Sequence, residues 1–163
     1  MSGFFGCISR RECVSDVFYG TDYHSHLGTK RAGMAFYDGT KFVRSIHSLE
    51  NGYFRNKFED ELPRFGESKM GVGVISDSES QPITITSHLG RYSVVTVSRI
   101  DNIKELTESL LQQRMHFAEL SGSDINATEL VAMLIGMGNT IKEGVEYAQS
   151  QIKGSCLMLV LTD

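Results

Sequence analysis

Apolar and polar residues follow a short-period pattern through the first hundred positions and a helical one afterwards, which predicts strands first and helices later. The run Gly3 to Ser9 is apolar and aromatic, broken by Gly6, and predicts a buried strand almost at the amino terminus. Ser15 to His26 places Val17, Phe18 and Leu27 at roughly helical spacing, with Gly20 weakening the helix. Gly33 to Tyr37 and Lys41 to Ile46 flank Asp38-Gly39-Thr40, the signal of a tight hairpin. Residues 48 to 68 are charged and mixed, and predict loop and short helix. Met70 to Ser76 is a further strand, and Ile83 to Thr86 with Tyr92 to Val97 form a second hairpin around His88-Leu89-Gly90-Arg91.

The period then changes. Asp101 is placed to cap a helix running to about Met115, with Ile103, Leu106, Leu110 and Leu111 as its apolar stripe. Asn126 with Glu129, and Thr140 with Glu143, have capping-box spacing and predict two more helix starts. Ile141, Val145, Ala148 and Ile152 form the inner face of the last helix, which Lys153-Gly154 ends. Ser155 to Leu161 is an uninterrupted apolar run, the pattern of a central strand covered on both faces. A chain ending on such a strand, at Thr162-Asp163, is expected to be a fragment of something longer.

Composition narrows the class. At 163 residues, 40% hydrophobic and 22% charged, with two prolines and no repeat or linker, the chain is expected to be one domain spanning residues 1 to 163. A net charge of −4 without a dense Lys/Arg cluster predicts no nucleic-acid partner and no attraction to an anionic membrane. No apolar run reaches the roughly 18 residues of a membrane helix, and no secretory leader opens the chain, so a cytoplasmic location is expected. Cys7, Cys13 and Cys156, odd in number and without C-x-x-C spacing, are expected to be reduced and packed.

Candidate chemistry is sparse. His24 and His26, two apart, could offer two metal ligands on one face of a strand, but no Cys or carboxylate pair at ligand spacing joins them, so they read as partly exposed loop histidines and neither a metal nor a cofactor is expected. No phosphate-cradling glycine loop opens a helix after a strand. Gly71-Val72-Gly73 inside a strand marks close backbone approach or a bulge, and Asp77-Ser78-Glu79-Ser80 reads as a solvated loop. The informative feature is the start. Removal of Met1 would leave Ser2 with a free α-amino group, able to act as general base beside its own hydroxyl.

Ser2-Gly3-Phe4-Phe5-Gly6, His26-Leu27-Gly28-Thr29-Lys30-Arg31-Ala32-Gly33, Gly71-Val72-Gly73 and Gln81-Pro82 together resemble the ordered landmarks of class II glutamine amidotransferases. The likeness is closest to the amino-terminal half of the amidophosphoribosyltransferases, where they read C-G-I-x-G, H-R-G-x-x-x-A-G, G-x-G-H-x-R and Q-P. Asn102-Ile103-Lys104-Glu105-Leu106 resembles that family's N-x-x-E-L, and Asn126-Ala127-Thr128-Glu129 falls where it has S-D-S/T-E. The resemblance covers the whole chain in order. It implies an α+β fold, a four-layer αββα N-terminal-nucleophile sandwich incomplete at the carboxy terminus.

The same resemblance locates the departures. The family's nucleophilic cysteine corresponds to Ser2 and its carboxylate-binding arginine to Ser76. Its oxyanion-hole asparagine and glycine correspond to about Val97 and Ser98, and the aspartate that holds the glutamine amino group to Ala127. Without the cationic fork the substrate carboxylate loses charge-assisted bonds. A missing oxyanion donor costs about 10²- to 10³-fold in rate, and serine is a weaker nucleophile than cysteine. The resemblance thus implies a degenerate glutaminase pocket with a structural or regulatory role. An active N-terminal serine amidohydrolase on another amide, or a non-catalytic binding or assembly module, are the alternatives. Expected partners are a phosphoribosyltransferase domain beyond residue 163 and a second copy of the chain, paired along residues 155 to 162.

Overall fold

The structure, a computed structural model, describes residues 2–27, 30–121 and 124–163. In chain order the elements are β1 (Gly3–Ile8), α1 (Val14–Asp22), β2 (Arg31–Tyr37), β3 (Phe42–Ser48), α2 (Phe54–Phe58), β4 (Met70–Ser76), β5 (Ile83–Ser87) and β6 (Gly90–Ile100). Then follow α3 (Ile103–Gln112), β7 (Leu120–Ser121), β8 (Asp124–Ile125), α4 (Ala127–Ile135), α5 (Ile141–Gln151) and β9 (Gly154–Thr162). Short 3-10 segments lie at Ser25–Leu27 and Glu59–Phe65. Strands β1-β4-β2-β3 form one antiparallel sheet, β5-β6-β9 a second, and β7 and β8 a two-residue pair.

Strand alternation sorts side chains into three apolar layers. Val72 and Val74 of β4 join Ala35, Val95 and Leu161 between the two sheets. The opposite face of the first sheet, with Met34, Phe36 and Ile75, packs under Phe18 of α1, Phe54 and Phe58 of α2, and Phe65. On the far face of the second sheet, Tyr92 and Val94 meet Leu106 and Leu110 of α3, residues 130–135 of α4, and Ala148. Three cores between four layers make the αββα sandwich.

Local sequence explains most of the elements. Val14, Val17, Phe18 and Thr21 are the buried face of α1, and Glu12 caps it by accepting from the Val14 amide at 3.0 Å. Gly20 costs that helix propensity but lets it approach β1, since a Cβ there would enter the Phe5 ring. The close approach expected at Gly71 and Gly73 is present, against Phe36 and Thr21 respectively. Both predicted cap acceptors act: Asn126 Oδ1 accepts from Glu129 N at 3.1 Å and Thr140 Oγ from Glu143 N at 3.1 Å.

Several expectations are corrected. Strand β1 is half-buried and lies at a sheet edge, with Ile8 exposed. Helix α3 stops at Gln112, short of Met115, and Leu111 is 50% exposed, off the stripe that Leu106 and Leu110 bury. Asp101 does not cap it. Its carboxylate pairs with Arg99, while Asn102 accepts from Lys153 N at 2.8 Å and donates to Gln151 O at 3.0 Å, tying the start of α3 to the end of α5. Strand β9 pairs only with β6 among the described residues, so it is an edge strand, and Leu157 is 66% exposed. His24 and His26 lie in the helical turns after α1 and not on a strand.

Candidate functional site

The landmarks gather where the ends of β1, β4 and β2 meet the loop 77–82 and the start of α4. Registers Gly3↔Ile75 and Arg31↔Ser76 put Ser2 and Arg31 on either side of Ser76 in the first sheet. Ser2 is half-buried, and its Oγ accepts from Asp77 N at 3.3 Å. Ser76 is buried, and its Oγ accepts from Glu79 N at 3.1 Å. Arg31 spans to the same loop, donating to Ser80 Oγ at 3.1 Å. The release of the Ser2 α-amino group turns on Met1, which lies outside the described residues, as do Gly28 and Thr29 of the second landmark.

Val97 and Ser98 are neighbours in β6 and point to opposite faces. Val97 shares the inter-sheet side of Val95, and Ser98 shares the helix side of Tyr92 and Val94. Ser98 pairs with Cys156 in β9. Ala127 is the first residue of α4 and buried, so its amide is one of the helix-start N–H groups without an intrahelical partner.

Glu79 answers that need. Its carboxylate accepts from Ala127 N at 3.3 Å and from the Thr128 hydroxyl at 3.0 Å, at the positive end of the α4 dipole. Because the Thr128 proton is committed to the carboxylate, the Thr96 hydroxyl must donate in the 2.6 Å contact between the two threonines. Gln81 completes the seal: its Nε2 donates to Thr96 O at 3.1 Å and its Oε1 accepts from Thr96 N at 2.8 Å. Asn126 Nδ2 donates to Ser80 O at 2.8 Å. Asp77 and Ser78 are exposed as a solvated loop would be, but Glu79 and Ser80 turn inward, which corrects the reading of that cluster. Charge spacing along a loop carries no sign that one of its carboxylates will find a helix start 48 residues on.

The thiols are held protonated. Burial, and then the nearby Glu79 carboxylate, push Cys156 up to about 11. Burial, and then Cys7, push Cys13 up to about 12. Neither is a thiolate nucleophile near neutral pH.

A second polar cluster was not legible in the sequence. Ser45 donates to Glu61 Oε2, and Glu61 Oε1 lies 2.9 Å from His47 Nε2. Ser45 Oγ lies 3.2 Å from that same nitrogen. In a hydrolytic triad the imidazole is the base and bridges carboxylate and nucleophile through its two nitrogens. Here both partners share Nε2, and the serine proton is directed at the carboxylate, so the cluster ties β3 to the 59–65 segment. Burial works against ionising Glu61, but hydrogen bonds from Ser45 and His47 and the charges of His47 and Arg64 outweigh it and hold the carboxyl below its ordinary value.

Neither a family model nor a curated protein matches the chain. Solved structures do. The allosteric regulatory enzyme of purine biosynthesis superposes over 99% of this chain and 35% of its own, with a TM-score of 0.83 and 22% identity. Glutamine phosphoribosylpyrophosphate amidotransferase from B. subtilis, complexed with ADP and GMP, covers the same shares at a TM-score of 0.81 and 23% identity. The likeness carries the fold expected from the landmarks, a four-layer αββα sandwich, and the chain spans about a third of the length of those proteins.

Proposed function

We propose that this chain is a glutaminase-type domain, related to that of the amidophosphoribosyltransferases of purine biosynthesis, which no longer hydrolyses glutamine and serves a structural or regulatory role. The observation that carries the reading is Glu79: its carboxylate occupies the Ala127 amide and the Thr128 hydroxyl, at the position that the resemblance assigns to binding the substrate amino group. Both oxygens of that carboxylate are taken up by the start of α4, so they are already committed to the helix and not to a substrate amino group. Ser76 supplies no cation in place of the absent arginine, and its hydroxyl is already bonded to the Glu79 amide. Val97 and Ser98 are side-chain substitutions at the oxyanion position, and Ser2 stands at the nucleophile position.

The test is direct. Ammonia release from glutamine is expected to be absent, and calorimetric titration with glutamine to millimolar concentration is expected to give no saturable heat. Saturable binding overturns the reading. The alternative of a serine amidohydrolase draws on Ser2 being held at the start of β1 by the Asp77 amide. Intact-mass measurement showing that Met1 is retained removes it.

Two further expectations belong to the same reading. Residues 1–163 are taken as one domain of a longer cytoplasmic chain with a phosphoribosyltransferase domain following, in line with the 35% share of the similar structures. The free edge of β9, with Leu157 exposed, is taken as the contact of a homo-oligomer.

A further inference from the structure

A cleft of about 490 Å³ opens on the helix side of the second sheet, between the β5–β6 hairpin, the 114–118 segment and α4. It lies away from the Ser2 and Glu79 cluster, and nothing in the reading above depends on it. Its size is that of sites for small organic molecules.

The 114–118 segment begins with an anomaly. Arg114 has a φ of 62°, the left-handed conformation that side-chain-bearing residues rarely adopt. The backbone there closes α3 as a Schellman turn, with Arg114 N donating to Leu111 O at 2.9 Å and Met115 N to Leu110 O at 3.1 Å. Glycine makes that turn without strain, so the backbone gains nothing from an arginine. Arg114 is an exposed residue that lines the cleft, and its guanidinium has no hydrogen bond or ion pair among the described residues.

His88 and His116 also line the cleft. His88 Nε2 lies 2.8 Å from Gly138 O, which can only accept, so that nitrogen carries the hydrogen and Nδ1 is left as an acceptor. The carboxylate in the wall, Glu129, is buried, and its two oxygens accept from Ala118 N at 2.8 Å and Glu119 N at 3.0 Å. It therefore fixes the 115–119 segment on α4 and leaves Arg114 unneutralised. The floor is apolar, with Ile85, Met115 and Met133, and methionine adapts to flat or irregular ligands.

We infer that this cleft binds a small organic anion, a phosphate monoester or carboxylate on a flat apolar body, with Arg114 and His116 holding the anionic head and the methionines the body. The probes are phenyl phosphate, benzoate and inorganic phosphate, titrated into the whole chain with methionine-methyl NMR as readout. At least one aromatic anion is expected to shift the Met115 and Met133 methyls saturably, with inorganic phosphate at least tenfold weaker; whichever of phenyl phosphate and benzoate binds more tightly identifies the head group. Arg114→Gly is expected to weaken binding at least tenfold without lowering the melting temperature, because glycine suits the left-handed turn, and Arg114→Lys to retain binding within about threefold. His116→Ala gives a second variant that leaves the turn untouched, with a several-fold loss expected. Absence of saturable shifts with both aromatic anions, or unchanged affinity in Arg114→Gly, overturns the inference.

Discussion

Glu79 and Thr128 are joined by a 3.0 Å hydrogen bond that closes the start of α4 with a carboxylate from the loop between the sheets. The same carboxylate reaches Ala127 N and raises the Cys156 thiol. Glu79→Ala is therefore expected to lower stability by about 1 to 2 kcal/mol, the scale of a charge-assisted bond at a helix start. It should also move the Cys156 thiol down from about 11, by less than burial contributes, because burial is the larger cause. Chemical denaturation and the pH dependence of alkylation at Cys156 check the two effects separately.

Gly73 sits where a Cβ would run into Thr21, whose hydroxyl donates to Val17 O at 2.7 Å inside α1. Gly73→Ala is expected to cost about 1 to 3 kcal/mol by overpacking. Thr21→Ala in the same chain should recover part of that loss, so that a double-mutant cycle by urea denaturation shows coupling.

On α3, Leu106→Ala is expected to cost about 2 to 5 kcal/mol, since Leu106 is buried on the sheet. Leu111→Ala should stay within about 0.5 kcal/mol because half of that side chain faces water. Equal midpoints for the two variants in a denaturation series would contradict the rotation of the helix.

Acid should act through Glu61. Its folded-state carboxyl lies below the ordinary value of 4.5, so it contributes stability that is present above that value and lost as pH falls through the depressed one. Glu61→Gln is expected to cost about 1 to 3 kcal/mol at pH 7, from the bonds to Ser45 and His47, and to flatten the stability profile below pH 4.5. Melting temperatures of both proteins across about pH 3 to 7, which spans the carboxylate titration, provide the comparison.

Association along β9 is best probed at Leu157. Leu159 packs among the residues between the sheets, so a lysine there would damage the fold and not the contact alone. Leu157→Lys is expected to turn an oligomer into an 18.1 kDa monomer in light scattering with its melting profile intact. A wild-type chain that is already monomeric across a dilution series removes the expectation.

Much of this was determined by the sequence alone. The Asp38-Gly39 and His88 to Arg91 hairpins, the cap acceptors Asn126 and Thr140, and the buried positions Leu106 and Leu110 of α3 and Ala148 of α5 all follow from interactions within a few residues, where the order of side chains dictates the geometry. The landmarks from Ser2 to Gln81 also carried the layered fold.

Tertiary structure decided what those positions do. Periodicity identifies the apolar face of an element but not what covers it, so β9 reads as a central strand and is an edge, and Leu111 reads as core and is half-exposed. Glutamate 129 has capping-box spacing, yet its carboxylate turns to Ala118 and Glu119, because a buried charge is stabilised by whichever N–H groups the fold brings to it. Glu79, Asn102 and the Ser45, His47 and Glu61 cluster found their partners across long stretches of chain. A polar side chain's partner is set by chain packing, and only the folded arrangement of the layers brings those groups within hydrogen-bonding distance.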